Sequence, residues 1–253
     1  MTPQPCLPDC LRLIATALLL ACALSVQAQT MRIGVPENNA AALTAQEVLR
    51  QAYARLGLEL QARALPLRRA LQMAESGELD GDLMRSAAAL EASPQLIKVP
   101  VPVGRVVGSV YQRGECPASI SVAELAKKRV SYFRGTRFVE LLLPAQALME
   151  ANDNWDALRR LQRGLSDYAL DVELVSDLNL IRHGVTGLCK IAEPVVIVPL
   201  FHALNRRHAA LAQRIEQTLQ AMQERGEIAA IWAAVEKQQR DAALADAKLR
   251  TLP

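Results

Sequence analysis

Short apolar runs alternate along the chain with longer stretches in which apolar residues return every third or fourth position. The first pattern predicts buried strands and the second amphipathic helices. Their alternation predicts an α/β fold with a largely parallel sheet. Strands are expected at 31–35, 58–64 and 80–84. Thr44, Ala45, Gln46 and Glu47 spell a capping box, which predicts a helix over 44–56 stopped by Gly57. Pro66 opens another helix that ends near Gly77. Residues 96–99 and 103–112 are extended apolar runs with Pro100 and Pro102 between them.

The texture changes at 111–117, where Gly114, Cys116 and Pro117 mark a boundary. A second α/β unit follows. Ser121 to Glu124 is another capping box, and a strand is expected at 129–133. Gly135 and Thr136 lead into a helix to about residue 150, and Asp153 or Asn154 caps one over 155–163. A strand at 168–172 and a short helix at 177–183 come next. Extended runs at 188–192 and 195–201 are split by Pro194. The chain closes with helices at 206–225 and 228–238 and a frayed tail after Asp241. Two lobes joined by two extended crossings account for both long apolar stretches. The expected division is residues 29–108 with 196–240 as lobe 1, 109–195 as lobe 2 and 241–253 as a flexible tail. The pattern by itself does not establish that the chain returns to the first lobe.

The first 28 residues read differently. Arg12 precedes an apolar run over 13–24, and Val26, Gln27 and Ala28 supply the small residues that a signal peptidase reads. The run falls short of the about 20 apolar residues that a spanning helix needs. The expectation is export to the periplasm with cleavage after Ala28, so that the mature chain starts at Gln29. Two alternatives stay open: an uncleaved anchor, and lipidation of Cys22 in the lipobox-like Leu19-Leu20-Ala21-Cys22.

Composition narrows the function. The 51% apolar and 22% charged residues are ordinary for a globular chain. A net charge of +3 with mixed signs lacks the concentrated basic face of a nucleic-acid binder. The mature chain keeps Cys116 and Cys189. An even pair in an oxidising compartment points to a disulfide, with two free thiols as the alternative. The spacing fits no zinc pattern, and His183, His202 and His208 do not cluster with the cysteines, so neither metal nor cofactor is expected. No Gly-x-Ser-x-Gly elbow, phosphate loop or His-Glu-x-x-His pair occurs, so no catalytic constellation is expected.

Several residues are candidates for ligand binding. Arg85 follows a predicted strand at the carboxyl edge, where open α/β sheets bind ligands. Its guanidinium can grip a carboxylate through two parallel hydrogen bonds, or pair structurally with Asp80 or Asp82. Arg69, one turn after Pro66, either faces a cleft or belongs to a solvated helix face. Gly135 and Thr136 at a helix start offer donors to an anion, or form an ordinary cap. Asp167 can hold an ammonium group or act as a turn residue. Glu37 and Asn38 follow the first strand and can line a cleft. Trp155 and Trp232 are expected in the core.

A family likeness runs through these segments. Leu65-Pro66-Leu67-Arg68-Arg69-Ala70-Leu71, the stretch from Ser76 to Arg85, and Pro94 to Pro100 carry it in the first unit. Arg129 to Thr136, Leu161 to Tyr168, and Leu200 to Asn205 with the helix ending at Gly226 carry it in the second half. In this order, over most of residues 30–238, they resemble bacterial periplasmic solute-binding proteins related to the amino-acid-binding proteins of ABC transporters. The resemblance implies a type II two-lobe fold and a monomer without enzymatic activity. It would capture a small polar or zwitterionic, amino-acid-like solute by hinge closure and deliver it to an inner-membrane permease. An enzyme on the same fold, dehydratase-like, and a ligand-sensing partner of a membrane signalling protein are the alternatives. In the site so implied, Arg85 and the Gly135–Thr136 helix start take the anionic group and Asp167 the cationic one. One departure is visible. Amino-acid binders of this kind carry a Ser- or Thr-rich stretch ending in Arg after the third strand, whereas here Arg85 comes earlier and Ala87, Ala88 and Ala89 follow.

Overall fold

A computed structural model describes residues 29–37 and 39–250. The leader with Cys22 and the expected cleavage site, and Asn38, lie outside the described residues. The first half runs β1 (Gln29–Pro36), α1 (Ala40–Arg55), β2 (Leu58–Leu65), α2 (Leu67–Ser76), β3 (Gly81–Ser86), α3 (Ala87–Glu91) and the long β4 (Leu96–Arg113). Next come α4 (Val122–Leu125), β5 (Val130–Phe133), α5 (Arg137–Leu142), β6 (Leu148–Ala151), α6 (Asn154–Gln162), β7 (Tyr168–Val172), α7 (Glu173–Arg182) and β8 (Leu188–Lys190). The chain then crosses back on β9 (Val196–Asn205) and ends in α8 (Ala209–Glu224) and α9 (Glu227–Arg250).

The strands form one sheet in the order β2-β1-β3-β9-β4-β7-β5-β6, with β8 beside β4. β1 pairs in parallel with β2 and β3, and β5 in parallel with β6 and β7. β4 and β9 join these two trios and pair antiparallel with each other and with β7 and β3 respectively. This polarity fixes where a ligand can sit. β3 runs along the direction of β4 and β7 runs against it, so the carboxyl ends of the two parallel trios point at each other across the crossing. Ligand crevices of open α/β sheets form at such ends.

Period-2 alternation distributes the core over both sheet faces. Met31, Ile33 and Val35 of β1 pack with Ala45, Val48, Leu49 and Tyr53 of α1 and with Ile215 and Leu219 of α8. Across the sheet, Ala70, Met73 and Ala74 of α2 pack with Leu79 and Ala203. In the second half, Val110 and Leu170 face one cluster, and their neighbours Tyr111 and Ala169 face another.

Several expected elements shift. α1 begins at Ala40, four residues before the Thr44 box, because the Asn39 side chain accepts the Ala41 N–H and caps the helix first. Thr44 turns its hydroxyl back to the Ala41 carbonyl at 2.7 Å. The helix expected up to residue 150 is the short α5, and β6 occupies its end. The tail expected to fray after Asp241 is instead helical to Arg250, with Ala243 buried.

A buried polar chain crosses the first core. His202 on β9 meets the Tyr53 hydroxyl through Nε2 at 2.8 Å and the Asp82 carbonyl through Nδ1 at 2.8 Å. Complete burial pushes the imidazole down to about 4, since the charged ring would lose its hydration. Unfolded, the ring takes a proton near 6.5. The folded chain therefore binds fewer protons between these values. Its stability is complete above pH 6.5 and falls as pH drops to 4, by about 3 kcal/mol from this group. Urea unfolding across that range should show wild type losing more stability than His202→Gln by about this amount; equal slopes would contradict it.

Candidate functional site

The facing carboxyl ends enclose a cleft of about 390 Å³ beside the crossing. The first half contributes Asn39 and Thr44 from the start of α1 and Leu67 from the start of α2. The second contributes Phe133 at the end of β5, Gly135, Thr136 and Phe138 after it, and Asp171 and Glu173 around the end of β7. Arg105 on β4 lies at the crossing. Trp232, Glu236 and Arg240 from α9 complete the wall, at the i, i+4, i+8 spacing that puts side chains on one helix face. Gly108 on β4 is required for this shape: a Cβ there would meet the Phe138 ring at 2.5 Å and Val196 at 2.6 Å.

Asp171 is buried at the carboxyl edge of β7. Its carboxylate accepts the N–H groups of Val172 at 2.8 Å and Phe133 at 3.1 Å, and the Thr136 hydroxyl at 3.4 Å. These donors are all neutral. Burial holds its pKa above the usual carboxylate value, and the donors limit the rise. Glu173 and the neighbouring Asp177 are compensated differently. Ser109 donates to Glu173 at 2.6 Å, while Lys190 lies 3.4 Å from Glu173 and 2.8 Å from Asp177. Arg240 also reaches Asp177, at 2.8 Å, and ties α9 to α7. Gln239 on the same helix donates to the Ala40 carbonyl at 3.3 Å, so α9 touches both halves of the chain.

Of the seven positions expected at the site, Asn38 lies outside the described residues, Gly135 and Thr136 line the cleft and the other four do not. Gly135 and Thr136 both have their donors engaged within the protein. α5 is a single short helix, the Glu140 carboxylate takes the Gly135 N–H at 3.0 Å, and the Thr136 hydroxyl serves Asp171. Arg85 is buried behind the wall. The β3–β9 register slips between Asp82 and Arg85, and the guanidinium ends on the Asp82 carboxylate and the Leu67 carbonyl, both at 2.6 Å. Asp167 sits at the opposite end of β7 from the cleft, paired with Arg129 at 2.8 Å, and those hydrogen bonds pull its pKa to about 2. Arg69 and Glu37 are exposed and line no part of the cleft. Sequence reasoning missed Asp171, Arg105 and the cleft-facing position of Trp232. The edge rule that singled out Arg85 also marks Asp171, at the end of the strand expected over 168–172. Cys116 and Cys189 form a disulfide inside the second half, with Cα atoms 5.9 Å apart.

No protein-family profile and no curated protein matches the chain. Solved structures do. A histidine kinase sensor domain with similarity to periplasmic binding proteins aligns with a TM-score of 0.62 at 19% identity, over 83% of this chain and 97% of that one. AbpA of Streptococcus pneumoniae, an amino acid ABC transporter substrate-binding protein bound to L-arginine, gives 0.60 at 16% identity, over 83% and 95%. The GluR0 ligand-binding core in complex with L-glutamate gives 0.61 at 15% identity, over 86% and 99%. All three are ligand-binding or sensor domains rather than enzymes. Two parallel trios joined by two antiparallel crossings, with a cleft between their carboxyl ends, is the arrangement these alignments cover nearly end to end. The chain therefore has the two-lobe fold of periplasmic binding proteins.

Proposed function

We propose that the chain is an extracytoplasmic receptor that captures a small polar, amino-acid-like solute between its lobes and hands it to an inner-membrane permease. The observation that carries this is Asp171. A buried carboxylate facing a cleft with only neutral donors around it is a place for a ligand's positive nitrogen. Such a cation would offset the cost of burying the charge. Ligand contacts to both lobes then stabilise a closed form by their differential affinity for it. Export with cleavage after Ala28 belongs to the same reading.

A second reading, a sensor that reports occupancy to a membrane signalling protein, is favoured by α9. This helix holds α7 through Arg240 and α1 through Gln239. Its position must respond to any change in how the lobes meet. The likeness to a histidine kinase sensor domain supports it too.

The test is a thermal-shift screen of the mature chain against α- and ω-amino acids, opines, polyamines and small organic acids. A ligand at 100 times its Kd adds about 2.7 kcal/mol of stability. No shift with any compound would overturn the reading. Isolating the ligand-dependent complex from membranes then separates permease from signalling partner.

A further inference from the structure

We infer that Arg105 is the anion subsite of the cleft and that the ligand is a zwitterion whose charges lie several bonds apart, as in an ω-amino acid. This rests on the receptor reading above and narrows its ligand.

Arg105 lines the cleft from the crossing, with its guanidinium 5.0 Å from the centroid of the Trp232 ring. Trp232 is fixed in turn, its indole N–H donating to the Val103 carbonyl at 3.0 Å. Among the described residues the ring is the partner the structure gives Arg105. A guanidinium lying over an aromatic ring keeps its in-plane N–H donors free, and their fork matches a carboxylate. The other guanidinium on the wall, Arg240, is engaged by Asp177. Glu173 is answered by Lys190 and half-buried Glu236 acts on Arg240, which among the described residues leaves Arg105 as the wall's guanidinium without a carboxylate against it and Asp171 as its buried carboxylate without a cation.

The sheet sets the distance between them. Ser109 is the register partner of Asp171, and Arg105 lies four residues before Ser109 on β4. Residues four apart share one face of a strand. At about 3.3 Å per residue, their backbone positions are about 13 Å apart along the sheet. Side chains stand off the sheet face, and a hydrogen bond of about 3 Å at each charged end takes up part of this separation. The remainder suits a ligand whose ammonium and carboxylate stand at opposite ends of a short aliphatic chain. The apolar flanks of Phe133 and Phe138 provide for that chain.

Calorimetric titration with a matched set tests this: δ-aminovalerate, pentylamine without the carboxylate, valerate without the ammonium, and L-norvaline with both charges on one carbon. The mature wild-type chain should bind δ-aminovalerate at least about tenfold more tightly than each of the other three. Arg105→Gln should lower δ-aminovalerate affinity at least about tenfold while pentylamine binds no more weakly, and Arg105→Lys should recover part of the loss. Arg105 is exposed, so an unchanged melting temperature verifies the fold. The inference is overturned if Arg105→Gln binds δ-aminovalerate as wild type does, if pentylamine, valerate or L-norvaline binds wild type equally well, or if none of the four binds. In each case the receptor reading stands as long as the broader screen finds another ligand, and falls only if it finds none.

Discussion

Replacing Asp82 with Ala is expected to lower the unfolding free energy by about 3–5 kcal/mol. Asp82 is fully buried and its carboxylate lies 2.6 Å from Nη2 of Arg85, itself 5% exposed. Nε and Nη1 of Arg85 are buried without a hydrogen-bond partner, so the guanidinium depends on Asp82 and the Leu67 carbonyl for its compensation. Removing the carboxylate strands a charge in the core. A whole domain is stable by only about 5–15 kcal/mol, so the variant should unfold at much lower urea. Arg85→Ala should be destabilising for the mirror-image reason. This differs from the expectation for a cleft arginine, whose loss would weaken binding and spare the fold. Replacing both partners together, Asp82→Leu with Arg85→Met, should recover most of the stability, because an apolar pair leaves no uncompensated charge. If Asp82→Ala melts like wild type, the pair contributes nothing and the burial argument fails.

Removing the Cys116–Cys189 disulfide should cost about 4 kcal/mol. The bond closes a loop with a sequence separation of 73 residues. The chain-entropy account sets about that penalty on opening such a loop in the unfolded state. Cys116 packs beside the cluster containing Val110, Leu125 and Ile191, and Cys189 lies on β8 against the end of β4. The bond therefore fastens the return of the chain onto the second lobe's core. The Cys116→Ser, Cys189→Ser double variant should show a lower urea midpoint, while wild type treated with reductant should converge on it. A midpoint equal to that of the oxidised protein would contradict the prediction.

Much of the architecture was legible because it is encoded locally. The Ser121 capping box, the Asp153 cap and the helix after Pro66 form as their sequences direct. The failures have tertiary causes. α1 starts early because Asn39 supplies a cap and Ala42 and Ala45 bury against the sheet, so the local preference at Thr44 is overridden. β6 was hidden inside a stretch of helical character, and pairing with β5 makes it a strand. The largely parallel sheet holds within each trio but not at β4 and β9, whose antiparallel crossings depend on long-range pairing.

The site was less legible than the fold. The carboxyl-edge rule found Gly135 and Thr136 but could not foresee that Glu140 would take the Gly135 N–H. It pointed to Arg85 as well, and a register slip turned that residue inward. A single slip exchanges the faces of a strand, and nothing in the local sequence announces one. Asp167 and Asp171 bracket the same strand, and only its direction tells which of them meets the cleft. Arg105 lies in an apolar run that reads as core. Its importance follows from Trp232, which is 127 residues away in sequence (232 − 105) and reaches it through α9.

Asp171 is expected to bind a ligand's positive nitrogen in the cleft. Titrating the tightest ligand from the screen into wild type and Asp171→Asn decides this. Asn retains an oxygen to accept from Phe133 or Val172 but removes the charge. Asp171→Asn should lose about 2–5 kcal/mol in binding, as for a desolvated charge pair broken on one side. That is at least about thirtyfold in Kd; the Asn amide nitrogen faces one of the two N–H donors, so the free protein should melt somewhat lower while staying folded at the titration temperature. An affinity equal to that of wild type would contradict it.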